Sequence, residues 1–166
     1  MAAIYISIGS NIEREKYIKN ALEQLEATFG ALSVSSVFES EAVGFEGDDF
    51  YNLVVGADTD KPLTDVVQIL KQIEEDNGRI RSAKKFSART LDLDILTYDD
   101  LVVEEPAQIP RDEITKNAFV LWPLAEIAPD VLHPTEKQSY ADLWQQYDKS
   151  KQKLWTVPFE WKTEYS

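Results

Sequence analysis

The chain contains no cysteine, which removes disulfides, thiolate metal sites and a cysteine nucleophile from consideration. Histidine is nearly absent too. His133 is the only one in 166 residues, so a zinc site built on several imidazoles is excluded and a Ser-His-Asp triad is disfavoured. Beside Pro134, a single histidine fits a structural or surface role better than catalysis. No apolar run approaches the roughly 20 residues of a membrane-spanning helix. There is no basic-then-apolar leader either, so neither a membrane span nor a secretory signal is expected and cytoplasm is the default location. Positive charge is scarce: 17 Lys and Arg against 30 Asp and Glu leave a net charge of −13. Such a chain repels nucleic acid in general, and a small anionic ligand must be drawn in by local charge. The remaining composition, 43% hydrophobic and 28% charged, is that of an ordinary globule, and its length suits one domain over residues 1–166.

Against this acidic background, residues 78–98 stand out. Arg79, Arg81, Lys84, Lys85 and Arg89 are gathered with no acidic residue among them. From Thr90 onward the pattern alternates as a strand does, so Leu91, Leu93 and Ile95 face a core while Asp92 and Asp94 project together from the other side. Two carboxylates about 7 Å apart along a strand suit Mg²⁺, which needs few protein ligands when phosphates supply the rest. Guanidinium and ammonium groups beside them suit those phosphates. The arrangement reads as a site for a metal-bound nucleotide. On spacing alone, a basic loop next to a strand with a solvated acidic face is an equally simple reading.

The rest of the chain supplies a scaffold. Residues 3–8 alternate as a first strand, followed by Gly9-Ser10-Asn11 as a turn. Asn11 is placed to cap a helix with the apolar stripe Ile18, Ala21, Leu22, Leu25 and Phe29, ending at Gly30. Residues 32–38 and 50–57 are β-rich, separated by a long loop at 39–49 of the kind that often carries function. Pro62 opens a second helix with Leu63, Val66, Val67, Leu70 and Ile73 on one face, ending at Asn77-Gly78. With the Asp-bearing strand the order is βαββαβ, the ferredoxin-like α+β plan of an antiparallel sheet with helices on one face. Further on, residues 101–103 suggest a strand, 119–127 a short helix broken by Pro123, and 139–147 another helix. The aromatic tail, residues 151–166, suits the cover of a sheet edge or of another chain.

The run Lys85-Phe86-Ser87-Ala88-Arg89-Thr90-Leu91-Asp92-Leu93-Asp94-Ile95-Leu96 resembles the signature of the 6-hydroxymethyl-7,8-dihydropterin pyrophosphokinases of folate biosynthesis, with Ser87-Ala88 where Gly-Pro is usual. Residues 119–130, Phe-Val-Leu-Trp-Pro-Leu-Ala-Glu-Ile-Ala-Pro-Asp, resemble the same family. The resemblance implies a ferredoxin-like fold and transfer of an intact pyrophosphoryl group from ATP to the pterin hydroxymethyl oxygen, by attack at the β-phosphorus with AMP leaving. It implies that Asp92 and Asp94 hold two Mg²⁺ ions. It also implies that the pterin lies between Phe50 and Phe119, with Asn52, Ser40 and backbone groups near Ala42 and Val43 reading its edge. Arg79, Arg81, Lys85 and Arg89 become phosphate contacts, Arg81 and Arg89 foremost. Lys71 and Glu74 on the preceding helix are weaker ATP candidates, and a solvated helix face is the reading preferred for both. Taken without the resemblance, Asn52 fits an exposed strand position equally well, and either phenylalanine fits ordinary core packing.

Two positions depart from the pattern. In Ile109-Pro110-Arg111-Asp112-Glu113-Ile114-Thr115-Lys116-Asn117-Ala118-Phe119, Arg111 stands where the family usually has His and Asn117 where it has Arg. Arg111 can still meet a phosphate, Asn117 brings no charge, and the neighbouring Lys116 is a candidate to compensate. The expectation is a monomeric ATP- and Mg²⁺-dependent enzyme acting on a small pterin, with neither nucleic acid nor membrane as partner. Two readings stay open beside it: a divergent paralogue with altered substrate or no turnover, and a non-catalytic ferredoxin-like interaction module.

Overall fold

The computed structural model describes residues 1–40, 50–78, 91–151 and 154–159. Strand β1 (Ala2–Ser10) lies between β5 (Asp92–Tyr98) and β4 (Phe50–Thr59), antiparallel to both. Beyond β4 come β3 (Val37–Ser40) and then β6 (Leu154–Val157), giving the order β5-β1-β4-β3-β6, with the short β2 (Ser33–Val34) also on β4. Helices α1 (Arg14–Phe29) and α2 (Leu63–Asp76) complete the βαββαβ ferredoxin-like order.

Alternation along the strands decides which residues meet these helices. Ile4, Ile6 and Ile8 of β1, Leu53 and Val55 of β4 and Leu93 and Ile95 of β5 pack with Leu91 against Ile18, Leu22 and Leu25 of α1 and Val66, Leu70 and Ile73 of α2. Burying an aliphatic side chain of this size contributes about 1.5–3 kcal/mol, so this layer dominates the fold. The expected helix faces are therefore the ones buried. The opposite sheet face is covered in part by α4 (Ala118–Ile127) and α5 (Tyr140–Gln146), whose Leu121, Leu124 and Tyr140 enclose Val54 and Leu96. Helices thus occupy both faces, α1 and α2 on one and the C-terminal helices on the other.

Several local expectations are corrected. Gly9 and Ser10 continue β1 rather than turning, and α1 starts at Arg14 with Glu13, at φ 43°, preceding it; Asn11 is buried and is not the cap. The run 32–38 is split: Val34 pairs with Val55 but Phe38 with Asn52, one residue out of step. Ser35 fills the interruption, donating its N–H to the Val54 carbonyl (3.0 Å) and accepting the Val54 N–H on Oγ (2.9 Å). Glu126 of α4 accepts from both the N–H and the hydroxyl of Ser36, tying this bulge to the second layer. Residues 101–103 form no strand, only a bridge of Val103 to Ile109. Pro123 does not break α4, which runs on to Ile127. The loss of one backbone bond is offset there by a helix apolar on nearly every side. The tail does cover a sheet edge: β6 pairs with β3, and Trp155 Nε1 donates to Glu39 (2.8 Å), which also holds Arg14.

His133 is buried, and its Nδ1 accepts the backbone N–H groups of Thr135 (3.2 Å) and Glu136 (3.1 Å). Two donors aimed at one ring nitrogen require it to be bare, so the proton sits on Nε2. Burial holds the ring's pKa below its usual value, with Glu136 opposing. The folded value lies below the unfolded one, so the stabilisation is complete above about pH 6.5 and is lost as pH falls through the folded value. The thermal midpoint should drop by a few degrees more between about pH 7 and pH 5 in the wild type than in His133→Asn, whose Oδ1 takes the same donors without titrating. Parallel curves would leave His133 without this role.

Candidate active site

The face of the sheet turned away from α1 and α2 carries the predicted polar residues in a row. In β5, Asp92 stands opposite Gly9 of β1, Gly9 opposite Asn52 of β4, and Asn52 opposite Phe38 of β3. One step along, Asp94 stands opposite Ser7 and Ser7 opposite Val54. Since side chains directly across a ladder share a face, Asp92, Asp94 and Asn52 belong to one surface, the carboxylates about 10 Å, two strand spacings, from the amide. Asn52 is 9% exposed, not an open strand position, and its Nδ2 donates to Ser40 Oγ at 3.3 Å. Ser40 in turn pairs with Phe50.

Gly9, which the sequence reading assigned to a turn, stands between them in β1. A Cβ there would stand 2.9 Å from Asn52 Oδ1. The bare backbone leaves the middle of the row open and the amide in place. A glycine inside an otherwise regular alternating strand was the available signal.

At the other end of the row, Asp94 keeps 30% of its side-chain surface. Burial first, and the neighbouring Asp92 carboxylate second, push its pKa up to about 7, with Arg111 pulling the other way. Negative charge is therefore in excess at this point, and a hard dication with oxygen-ligand preference fits the donor set. Among the described residues no three His, Cys, Asp or Glu side chains converge on one metal position, so the protein offers a carboxylate pair rather than a closed cage.

Glu74 corrects the sequence reading most sharply. It is 5% exposed, not solvated, and its carboxylate accepts the Leu93 N–H at 2.7 Å. Among the described residues β5 is an edge strand, and Glu74 supplies from α2 an acceptor for its Leu93 N–H. The bond fixes the peptide between the two aspartates. Lys71, one turn earlier, is exposed as expected.

Arg111 is anchored by its own backbone, donating to the Leu96 carbonyl of β5 at 2.9 Å. Its Nε donates to Glu113 (2.7 Å) and its Nη2 lies 3.5 Å from Asp94. Burial works against the guanidinium charge, but Asp94 and Glu113 outweigh it and hold its pKa above the usual value. Glu113, which sequence reasoning did not single out, also accepts from Asn117 Nδ2 at 3.3 Å. It begins the short helix α3 (Glu113–Lys116). Lys116 pairs with Asp112 at the surface, 3.0 Å away. Phe119 lies in the first turn of α4, half-buried against the second core cluster. Val43, Arg79, Arg81, Lys85 and Arg89 lie outside the described residues.

The family described as 7,8-dihydro-6-hydroxymethylpterin-pyrophosphokinase matches residues 5–129, a span containing the sheet row, Glu74 and Arg111. The chain belongs to this family. It is similar to the 2-amino-4-hydroxy-6-hydroxymethyldihydropteridine pyrophosphokinase of Aquifex aeolicus, 36% identical over 137 residues that cover 81% of this chain and 85% of the relative. The Bacillus subtilis protein of the same name is 36% identical over 132 residues, covering 76% and 78%. Among solved structures, Plasmodium falciparum HPPK-DHPS superposes with a TM-score of 0.69 at 15% identity, over 89% of this chain and 44% of the other. The likeness at that identity speaks for the fold, and this chain spans under half of the solved one. Arg111 and Asn117 both fall inside the matched span.

Proposed function

We infer that the sheet face between Asp92 and Phe38 is where this pyrophosphokinase brings together ATP and 6-hydroxymethyl-7,8-dihydropterin, transferring pyrophosphate to the pterin and releasing AMP. The observation that carries this reading is the row itself: a carboxylate pair and a buried, hydrogen-bonded amide on one face, separated by a side-chain-free strand position.

Asp92 and Asp94 would hold two Mg²⁺ ions together with the nucleotide, and these would supply neutralisation of the phosphate charge and a lowered pKa at the hydroxymethyl oxygen. The protein's own work is positioning. Asn52, already held by Ser40, offers its carbonyl and remaining amide hydrogen to the pterin edge, and a buried amide of this kind rejects a ring that leaves it unpaired. Phe50 and Phe119 close on the two faces of the heterocycle, where flat contact buries area without using its edge. Arg79, Arg81, Lys85 and Arg89, in the connection from α2 to β5, supply the positive charge that attracts ATP to a chain of net charge −13, with Arg81 and Arg89 on the transferring group. Arg111 adds a cation beside Asp94, and Lys71, exposed on α2, is a weaker nucleotide contact. Aligned reactants and neutralised charge account for catalysis of this type without a histidine base. On the β5 edge, Glu74 accepts the Leu93 N–H and the Arg111 N–H donates to the Leu96 carbonyl, which supports a monomer; a cytoplasmic site of action fits a chain without cysteine.

The deciding experiment is incubation with ATP, Mg²⁺ and the pterin, following AMP and pterin pyrophosphate by chromatography. Equimolar products are expected; hydrolysis of ATP to ADP, or no AMP, would sink the assignment. The division of the site is tested by Asn52→Ala. Pterin affinity should fall on the order of tenfold or more while ATP affinity stays within about twofold, as read by calorimetry. Equal losses of both would refute separate pterin and nucleotide ends.

A further inference from the structure

Arg111 stands on the carboxylate that the proposed metal pair needs open. Its two acidic contacts are unequal: Nε to Glu113 is 2.7 Å, a charge-assisted hydrogen bond, whereas Nη2 to Asp94 is 3.5 Å, an ion pair without a close hydrogen bond. Glu113 is itself fixed, its second oxygen accepting from Asn117 Nδ2 at 3.3 Å. The backbone of Arg111 is pinned to Leu96. The guanidinium is thus tethered at its root and at Nε, and its Nη end is the part that can exchange partners. All three charged side chains remain about one-third exposed, at 32%, 30% and 34% for Arg111, Asp94 and Glu113, so water and ions reach the contact that must break.

We propose that Arg111 is a resident counter-ion for Asp94 in the metal-free enzyme, displaced by the metal and handed to a phosphate of the nucleotide while Glu113 holds its pivot. The proposal rests on the reading of Asp92 and Asp94 as the metal pair. Its consequence is coupling. Metal alone must compete with Arg111 for Asp94, but metal arriving with ATP offers the guanidinium a new partner, so each ligand strengthens the other's binding. Asn117 then has a part in this chain despite its neutrality, because it braces Glu113.

The test is Mn²⁺ binding without nucleotide, by calorimetry or electron paramagnetic resonance, in wild type, Arg111→Gln, Arg111→Lys and Asp94→Asn. Arg111→Gln should bind Mn²⁺ about five- to tenfold more tightly than wild type, while its affinity for a non-hydrolysable ATP analogue in EDTA falls. Opposite shifts mark a counter-ion; a merely structural residue would weaken both. Lysine retains charge but cannot span Glu113 and Asp94 as the fork does, and it should lie between the two. If the glutamine variant fails to fold by circular dichroism, the lysine variant is judged alone, tighter Mn²⁺ binding supporting the proposal. Unchanged or weaker Mn²⁺ binding on losing Arg111 overturns it, and leaves the metal pair standing if Asp94→Asn abolishes binding. Binding indifferent to Asp94→Asn overturns both.

Discussion

Replacing Asp94 with asparagine should lower kcat about a thousandfold without unfolding the protein. Asparagine keeps the shape of the side chain and one acceptor oxygen but removes the charge that a dication and a polyphosphate require. The structure separates this loss from damage to the fold. Burial first, and the neighbouring Asp92 second, push the Asp94 carboxyl up to about 7, above the usual carboxylate range. Its folded pKa is raised, so folding favours the protonated form. The stability this contributes is complete below the unfolded value of about 3.9 and is lost as pH rises towards about 7. Above that pH the metal-free wild type carries a carboxylate under strain, and the neutral amide relieves it. The thermal midpoint of Asp94→Asn at about pH 8, measured without metal, should equal or exceed that of the wild type, while AMP release is lost and MgATP no longer raises the midpoint. Retained turnover would remove Asp94 from the metal assignment; a variant that melts far below wild type would mean that the carboxylate holds the fold.

The pairing of Asp92 with Asp94 was legible because strand alternation is a local rule: with Leu91, Leu93 and Ile95 needing the core, the aspartates had only the other face. The helical stripes of α1 and α2 were legible for the same reason. What crosses between elements was not. Arg111 and Asp94 are seventeen positions apart and meet only because a bridge from Val103 to Ile109 and a backbone bond to Leu96 bring the segment back beside β5. No periodicity encodes that return, and Glu113, two residues on, carries no sequence signal of its own. The resemblance to the pyrophosphokinases identified position 111 as unusual; the coordinates add its neighbours. The one-residue slip at Ser35 was likewise hidden, since a β-rich run reads as continuous until the partner strand shows it is one residue out of step.

Glu74 is a different kind of miss, because the signal was present. Leu63, Val66, Val67, Leu70 and Ile73 define the buried stripe, and Glu74 continues it, four residues after Leu70 and seven after Val67. A carboxylate on that stripe must be paired, and Leu93 supplies the donor. Glu74→Ala should therefore cost about 2 kcal/mol of unfolding free energy, because the Leu93 N–H is left buried without its acceptor. Glu74→Gln, whose side-chain oxygen can accept the same bond, should lose less than half as much. The catalytic consequence follows from position. The peptide freed by the alanine lies between Asp92 and Asp94, so both carboxylates lose their common anchor, and kcat should fall about tenfold even where the protein remains folded, a 1 Å displacement being enough for losses of that order and more. Denaturant melts and AMP-release rates on the two variants give four numbers with a required order. If alanine and glutamine destabilise equally, the hydrogen bond to Leu93 is not what Glu74 contributes. If alanine destabilises but turnover is untouched, the edge of β5 is held for the fold alone, and the aspartate pair keeps its geometry without help from α2.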